Sequence, residues 1–139
     1  MESTKGLFPL VIYEANVTML MHNIDLVNDL QASTMGFANI YDFGQSQEFN
    51  YMSMDILGPS LGDLMFFCGN KFSLKTTLMI GLQILERLEY LHSNNFIHRD
   101  IKPDNFLVGI HEKSHVVYCV DLGLAKRFID EETGKHIPH

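Results

Sequence analysis

Phe96-Ile97-His98-Arg99-Asp100-Ile101-Lys102-Pro103-Asp104-Asn105 is the stretch on which the reading of this chain turns. It sets a carboxylate, then a lysine, then an amide within one short loop. A helical pattern ends just before it at Asn94-Asn95, and a strand pattern begins just after it at Phe106. Sixteen residues beyond Asn105, Asp121-Leu122-Gly123 follows at the end of a second predicted strand, Val116 to Val120. Singly, these residues have ordinary explanations: Asp100 and Asp104 as turn formers around Pro103, Asn105 as a loop cap, Asp121 as a strand terminator. Jointly, the order and spacing bring two acids, a cation and an amide toward one place, which chance explains poorly.

Working outward, the segment before the loop is the strongest helix in the chain. Ser73 caps it, and apolar residues recur at Leu74, Leu78, Leu82, Leu85, Leu88 and Leu91, with Met79 and Ile84 widening the stripe. Glu86, Arg87 and Glu89 are expected to face outward. Ser60-Leu61-Gly62-Asp63 reads as a capping box opening a shorter helix to about Cys68, ended by Gly69-Asn70. Upstream of Gly58-Pro59, two strand-like runs, Ala38 to Phe43 and Phe49 to Leu57, are joined by Gly44-Gln45-Ser46-Gln47 as a hairpin. Leu7 to Tyr13 reads as a strand, and Met19 to Leu30 has helical spacing at Leu20, Ile24, Val27 and Leu30. Short strands are expected at Phe106-Leu107-Val108 and Val116 to Val120, and the polar tail Asp130 to His139 has no core of its own. The fold class is α+β.

Composition bounds the function. The 139 residues suffice for one globular core, with 46% apolar and 19% charged residues. A net charge of −7 lacks the basic footprint of a nucleic-acid binder. No apolar run approaches the ~20 residues of a membrane span, and Met1-Glu2-Ser3-Thr4-Lys5 has no signal-peptide pattern. The expected location is therefore intracellular, cytoplasmic or nuclear, with neither nucleic acid nor membrane as partner. Cys68 and Cys119 show no paired spacing and are expected reduced and mostly buried. Of the seven histidines, His111 and His115 fall in a strand connector with no cysteine nearby, which favours solvated loop histidines over a zinc site.

The residue types suit phosphoryl transfer, which asks the protein for positioning and for neutralisation of spreading negative charge. Asp100 can accept or orient the acceptor's hydroxyl proton, and Lys102 can place a positive charge on the transferred group. Asn105 and Asp121 offer Mg²⁺ an amide and a carboxylate oxygen, enough for an ion that takes its other ligands from water and phosphates. The two motifs match the H-R-D-x-x-x-x-N loop and the D-F-G tripeptide of protein kinases.

Further stretches make the resemblance narrower. Met54-Asp55-Ile56-Leu57-Gly58-Pro59-Ser60-Leu61, Lys71-Phe72-Ser73-Leu74-Lys75-Thr76, Tyr90-Leu91-His92-Ser93, Lys102-Pro103-Asp104-Asn105-Phe106-Leu107, Asp121-Leu122-Gly123-Leu124-Ala125-Lys126 and Thr133-Gly134-Lys135-His136-Ile137-Pro138 resemble the casein kinase 1 family of serine/threonine kinases. The match runs from Gly36 to Pro138. It implies a protein kinase-like fold, with residues 1–57 as an N-lobe remnant, a hinge at 55–58, and 59–139 as the start of the C-lobe, ending in the activation segment. It also implies ATP and Mg²⁺ as cofactors, and protein substrates bearing Ser or Thr in acidic or pre-phosphorylated surroundings. Met54 looks like the gatekeeper behind adenine, Asp55 and Leu57 like hinge positions whose backbone meets the base, and Leu107 like the apolar floor beneath it. Asp63 matches a ribose-approaching position, with helix capping as an equal reading. His98 and Leu122 look like core packing residues, Leu122 standing where the family has Phe.

Parts of the pattern are missing. No G-x-G-x-x-G occurs, since the ten glycines never fall two apart, and no V-A-I-K lysine is visible. Leu10-Val11-Ile12-Tyr13 could be a remnant of the lysine's strand; alternatively, Tyr13-Glu14-Ala15 matches the family's helix C, with Glu14 as its ion-pair glutamate. Both alignments stay open. The sequence thus reads as roughly half a kinase domain. The Leu74–Leu91 stripe then lacks the helices it would pack against and is expected to be exposed or covered by a partner.

Overall fold

The computed structural model describes residues 10–28, 36–45, 49–130 and 132–138. Its elements run α1 (Leu10–Asn28), β1 (Ile40–Gln45), β2 (Asn50–Met54), α2 (Leu61–Phe67), α3 (Leu74–Ser93), β3 (Phe96–Ile97), β4 (Phe106–Val108), β5 (Val117–Cys119) and β6 (Lys126–Arg127). Single 3-10 turns lie at Pro103–Asn105, His111–Lys113 and Leu122–Leu124. The strands form three antiparallel pairs, β1–β2, β3–β6 and β4–β5. This mixture of helices and small sheets is an α+β architecture.

The caps act as the sequence requires. Ser60 accepts from the Asp63 amide at 3.0 Å while the Asp63 carboxylate reaches back to the Ser60 amide at 3.2 Å, so two orphan donors of α2 are satisfied together. Ser73 accepts from Thr76 at the start of α3, and Asn95 beyond its end adopts a left-handed backbone with φ of 67°. The hairpin register pairs Gln45 with Asn50; the intervening turn lies outside the described residues.

The N-terminal expectation fails. Leu10 to Tyr13 are not a strand but the first turn of a helix that runs unbroken to Asn28. A short apolar run cannot be assigned from composition alone. What decides is spacing: Tyr13, Val17 and Met21 recur every four residues, and all three pack on the core. The positions Leu7 to Pro9 and Asp29-Leu30 lie outside the described residues.

That core gathers Val17 and Met21 from α1, Phe37, Leu61 from α2, Leu91 from α3, Phe106, Val117, Cys119 and Leu122. Helix α3 packs on it through Ile80, Ile84 and Leu91. The rest of the apolar stripe faces water: Leu74, Leu78, Met79, Leu82 and Leu85 are all exposed. Arg87, expected outward, is instead 7% exposed. Its Nε donates to the Val117 carbonyl at 3.2 Å, and its other nitrogens reach Glu86 at 2.9 Å and the Gln83 side-chain oxygen at 3.3 Å. It fills the space over Gly36, whose φ of 111° suits only glycine and where a Cβ would come within 1.9 Å of Nε. Nothing in the helical spacing announces this, because the partner is a strand 30 residues away.

The cysteines divide. Cys119 is buried, which pushes its thiol up to about 12, whereas Cys68, expected buried, is exposed. The tail is also more ordered than its polarity suggests. Asp130 accepts from the Thr133 amide and hydroxyl, Ile129 bridges His136, and the Ile137 amide donates to Phe128.

Removing the Arg87 guanidinium should strand the Val117 carbonyl. Arg87→Ala is expected to lower unfolding free energy by roughly 1–3 kcal/mol, read as a lower urea midpoint at unchanged slope; a wild-type midpoint would show that water replaces the contact.

Candidate active site

The loop after β3 closes on itself because Pro103 opens a 3-10 turn, where its missing N–H is no loss, and Lys102 before it is extended. The turn carries Asn105 back to Asp100. The Asn105 amide nitrogen donates to the Asp100 carbonyl and to its carboxylate, each at 2.9 Å. Lys102 Nζ meets the same carboxylate oxygen at 2.6 Å. Since Asn105 spends its donors on Asp100, its side-chain oxygen is the atom left for a cation. Gly62 lets α2 approach this turn, a Cβ there meeting the Asp104 carboxylate at 3.0 Å.

A buried imidazole ties the loop to β5. His98 is 1% exposed and lies against the Phe106 ring. The Asp100 amide donates to its Nδ1 at 3.3 Å, and Nε2 contacts the Val120 carbonyl at 3.1 Å. A carbonyl can only accept, so Nε2 carries the proton and Nδ1 is the acceptor. The Val120 amide in turn donates to the Asn105 carbonyl at 3.0 Å. That bond continues the β4–β5 register by one step, so Asp121 emerges one residue past the partner of Asn105.

Asp121 has a left-handed backbone, φ 60° and ψ 61°, and Arg99 also stands at positive φ, 69°. Non-glycine residues rarely hold this conformation without support. Arg99 Nε donates to the Leu124 carbonyl at 2.6 Å, and Leu122 is wholly buried beneath α1. Of the two N-terminal alignments, the structure matches the one that places Tyr13-Glu14-Ala15 on a helix. Helix α1 brings the Glu14 carboxyl beside the Asp121–Gly123 backbone, which acts to favour its charged form. Burial, with the nearby Asp121 charge, still pushes the Glu14 carboxyl above its usual range.

Charge is arranged in favour of ionised forms in the loop. Hydrogen bonds from Lys102, then Asn105, hold the Asp100 carboxyl below the usual range, and Asp100 raises the Lys102 ammonium in return. Among the described residues no three His, Cys, Asp or Glu side chains converge as a metal cage. Asp121 and Asn105, the pair the sequence analysis assigns to a cation, carry one carboxylate and one amide oxygen. That set fits a hard divalent ion completed by water and phosphate oxygens, and does not fit zinc.

The hinge-side positions are placed separately. Met54, Asp55 and Leu57 line a cavity of ≈ 480 Å³ with Tyr41, Ile110 and Lys113, but Asp63, Leu107 and Asp121 do not line it. The Asp55 carboxylate is engaged: it accepts from the Asn39 amide and side chain, each at 2.9 Å, and from the Tyr41 hydroxyl. Burial alone would raise its carboxyl, but the Tyr41 and Asn39 hydrogen bonds outweigh it and the net shift is downward. The Asp55 amide also donates to the Asn39 carbonyl at 3.0 Å, which leaves its carbonyl to meet a ligand. Asp63 is taken up in the α2 cap, and Leu107 pairs with Tyr118 and bridges Ser60.

Comparison with known families agrees with this geometry: the family model described as protein kinase domain matches residues 13–137. The chain belongs to the protein kinase domain family. The kinase domain is a transferase fold that works on ATP with a divalent metal and acts on protein substrates. The match begins at Tyr13, the residue before Glu14, so it takes in α1 as well as the loop and the Asp121 turn. The sequence alone missed the contribution of Arg99 to that turn, since no spacing or residue type signals its left-handed backbone.

In the kinase domain, Lys102→Ala should remove the strongest force on the Asp100 carboxyl. Its titration midpoint, followed by carboxyl ¹³C NMR, is expected to rise toward the ordinary value of ~3.9. Because the folded-state value is depressed, the stability Asp100 adds is present above its unfolded value and is lost as pH falls through the folded one. An unmoved midpoint would show that Lys102 does not act on it in solution.

Proposed function

We propose that this kinase domain is of the serine/threonine, casein kinase 1 type, and that it transfers the γ-phosphoryl group of ATP, with Mg²⁺, to protein hydroxyls in acidic or pre-phosphorylated surroundings. The observation that carries the reading is the Asp100–Lys102–Asn105 constellation one strand step from Asp121. Bound MgATP supplies the activated phosphoryl group and charge neutralisation. The chain supplies the rest. Asp100, kept ionised, accepts or orients the hydroxyl proton of the acceptor. Lys102, an ion-pair distance from Asp100, puts its charge where the group passes. Asn105 and Asp121 would hold the ion.

In the same reading, residues 55–58 are the hinge between an N-lobe portion and the C-lobe that begins at 59. Met54 would stand behind the base, the Asp55 and Leu57 backbones would meet its edge, and Leu107 would lie beneath it. Asp63 reaches ribose only by leaving the α2 cap. Support for the acceptor type and for acidic substrates is the sequence resemblance from Gly36 to Pro138. An intracellular site of action, cytoplasmic or nuclear, belongs to the same proposal; no helix among the described residues is long and apolar enough to cross a membrane.

The 139-residue chain, with no glycine-rich loop or strand lysine in its sequence, is expected to transfer little phosphate by itself. A longer polypeptide that contains it and adds those parts should phosphorylate casein with MgATP, and Asp100→Asn should lower that rate by about 10²–10⁴-fold. An undiminished Asp100→Asn rate would remove the assignment. A melting temperature raised by MgATP without turnover would instead support a non-catalytic nucleotide-binding module.

The exposed face of α3 favours a second role alongside this one. Leu74, Leu78, Leu82 and Leu85, each more than half exposed, form an apolar strip of the sort that partners cover. The isolated chain is expected to sediment as an associated species rather than a monomer; a clean monomer with cooperative unfolding would count against such a partner.

A further inference from the structure

We infer that Tyr13 is a positioning residue for the cation-bearing turn, acting through the Ala125 carbonyl; this rests on the reading of Asp121 as an ion ligand. The turn from Asp121 to Ala125 begins in an unfavourable left-handed conformation and is closed by the Ala125 amide donating to the Leu122 carbonyl at 3.0 Å. Its last two carbonyls are each gripped from outside. The catalytic-loop residue Arg99 donates to Leu124 at 2.6 Å, and the Tyr13 hydroxyl, 112 residues away in sequence, donates to Ala125 at 2.9 Å. Ala125 is buried, so a donor lost there is not readily replaced by water. The next residue of α1 touches the same turn: Glu14 Oε2 lies 3.7 Å from where a Cβ on Gly123 would stand. The first turn of α1 and the loop bearing Asp100 therefore both hold the end of one short turn whose first residue is Asp121.

The Tyr13 ring packs against the core, whereas its hydroxyl makes the Ala125 bond. Ring and hydroxyl can be separated. Tyr13→Phe keeps the packing and removes the bond, so α1 stays docked while the turn gains freedom. Val17→Ala does the converse, since Val17 belongs to the same α1 face and touches the core without a polar contact.

The test is an electron paramagnetic resonance titration of Mn²⁺ in the presence of ADP, using the 139-residue chain and its Tyr13→Phe, Val17→Ala and Asp121→Asn variants, each with a thermal melt. Loss of one hydrogen bond to a buried carbonyl predicts roughly 2–10-fold weaker Mn²⁺·ADP binding by Tyr13→Phe. Val17→Ala should lower the melting temperature further yet leave affinity nearer to wild type. Wild-type affinity in Tyr13→Phe overturns the inference, as does equal weakening by Val17→Ala, which would make the effect one of loosened packing. Asp121→Asn should abolish binding. If it binds normally, or if the wild-type chain binds no Mn²⁺·ADP, the assignment of Asp121 falls and the inference with it.

Discussion

The His98 imidazole sets the spacing on which the site depends. With one nitrogen accepting from the Asp100 amide and the other donating to Val120, it measures the gap between the loop that carries the acid and the strand that delivers Asp121. Neither half could shift without stranding a polar atom in the interior, where an unmade hydrogen bond is costly. The Asn105–Val120 backbone bond repeats the constraint one layer away. The site is thus built from main-chain geometry first, and its charged side chains are placed on a frame that is already fixed.

Around that frame, polar groups are committed in a consistent way. Asp63 belongs to a helix cap and Asp55 to the β1–β2 hairpin. Glu14 lies beside the backbone of a turn. The first two carboxylates are satisfied by amide or hydroxyl donors within the fold. Asp100 differs in having a flexible ammonium as a main partner, and Asp121 is exposed at the end of its strand. Asp100 and Asp121 thus differ from these three in being open to contacts with a ligand.

Much of this was legible in the sequence because the signals were local. Ser60 with Asp63, Ser73 with Thr76, and the apolar repeat of α3 lie within a turn or two of one another, and the structure matches them. The loop and the Asp121 turn were readable for another reason: their residue types at those spacings serve one chemistry. What escaped was set by distant partners. Arg87 is buried because a glycine at 36 leaves room and a strand at 117 offers a carbonyl. Leu10 to Tyr13 were the exception: their helical signal, Tyr13, Val17 and Met21 four apart, is local but extends past the apolar run itself. The β3–β6 pair, which joins Phe96 to Arg127 and sets Arg127 over the Phe96 ring, is too short to leave a pattern.

The division between the two cysteines gives the chain an internal gauge of its own integrity. Cys119 lies inside with its thiol held protonated, while Cys68 ends α2 in open solvent. Alkylating reagents attack thiolates they can reach, so in the folded chain the reaction is confined to position 68. The second equivalent is consumed only as β5 comes apart. A fluorophore attached at position 68 would report from the end of α2 without touching the loop that carries the chemistry, and the rate of the slower modification would time the opening of the strand that presents Asp121.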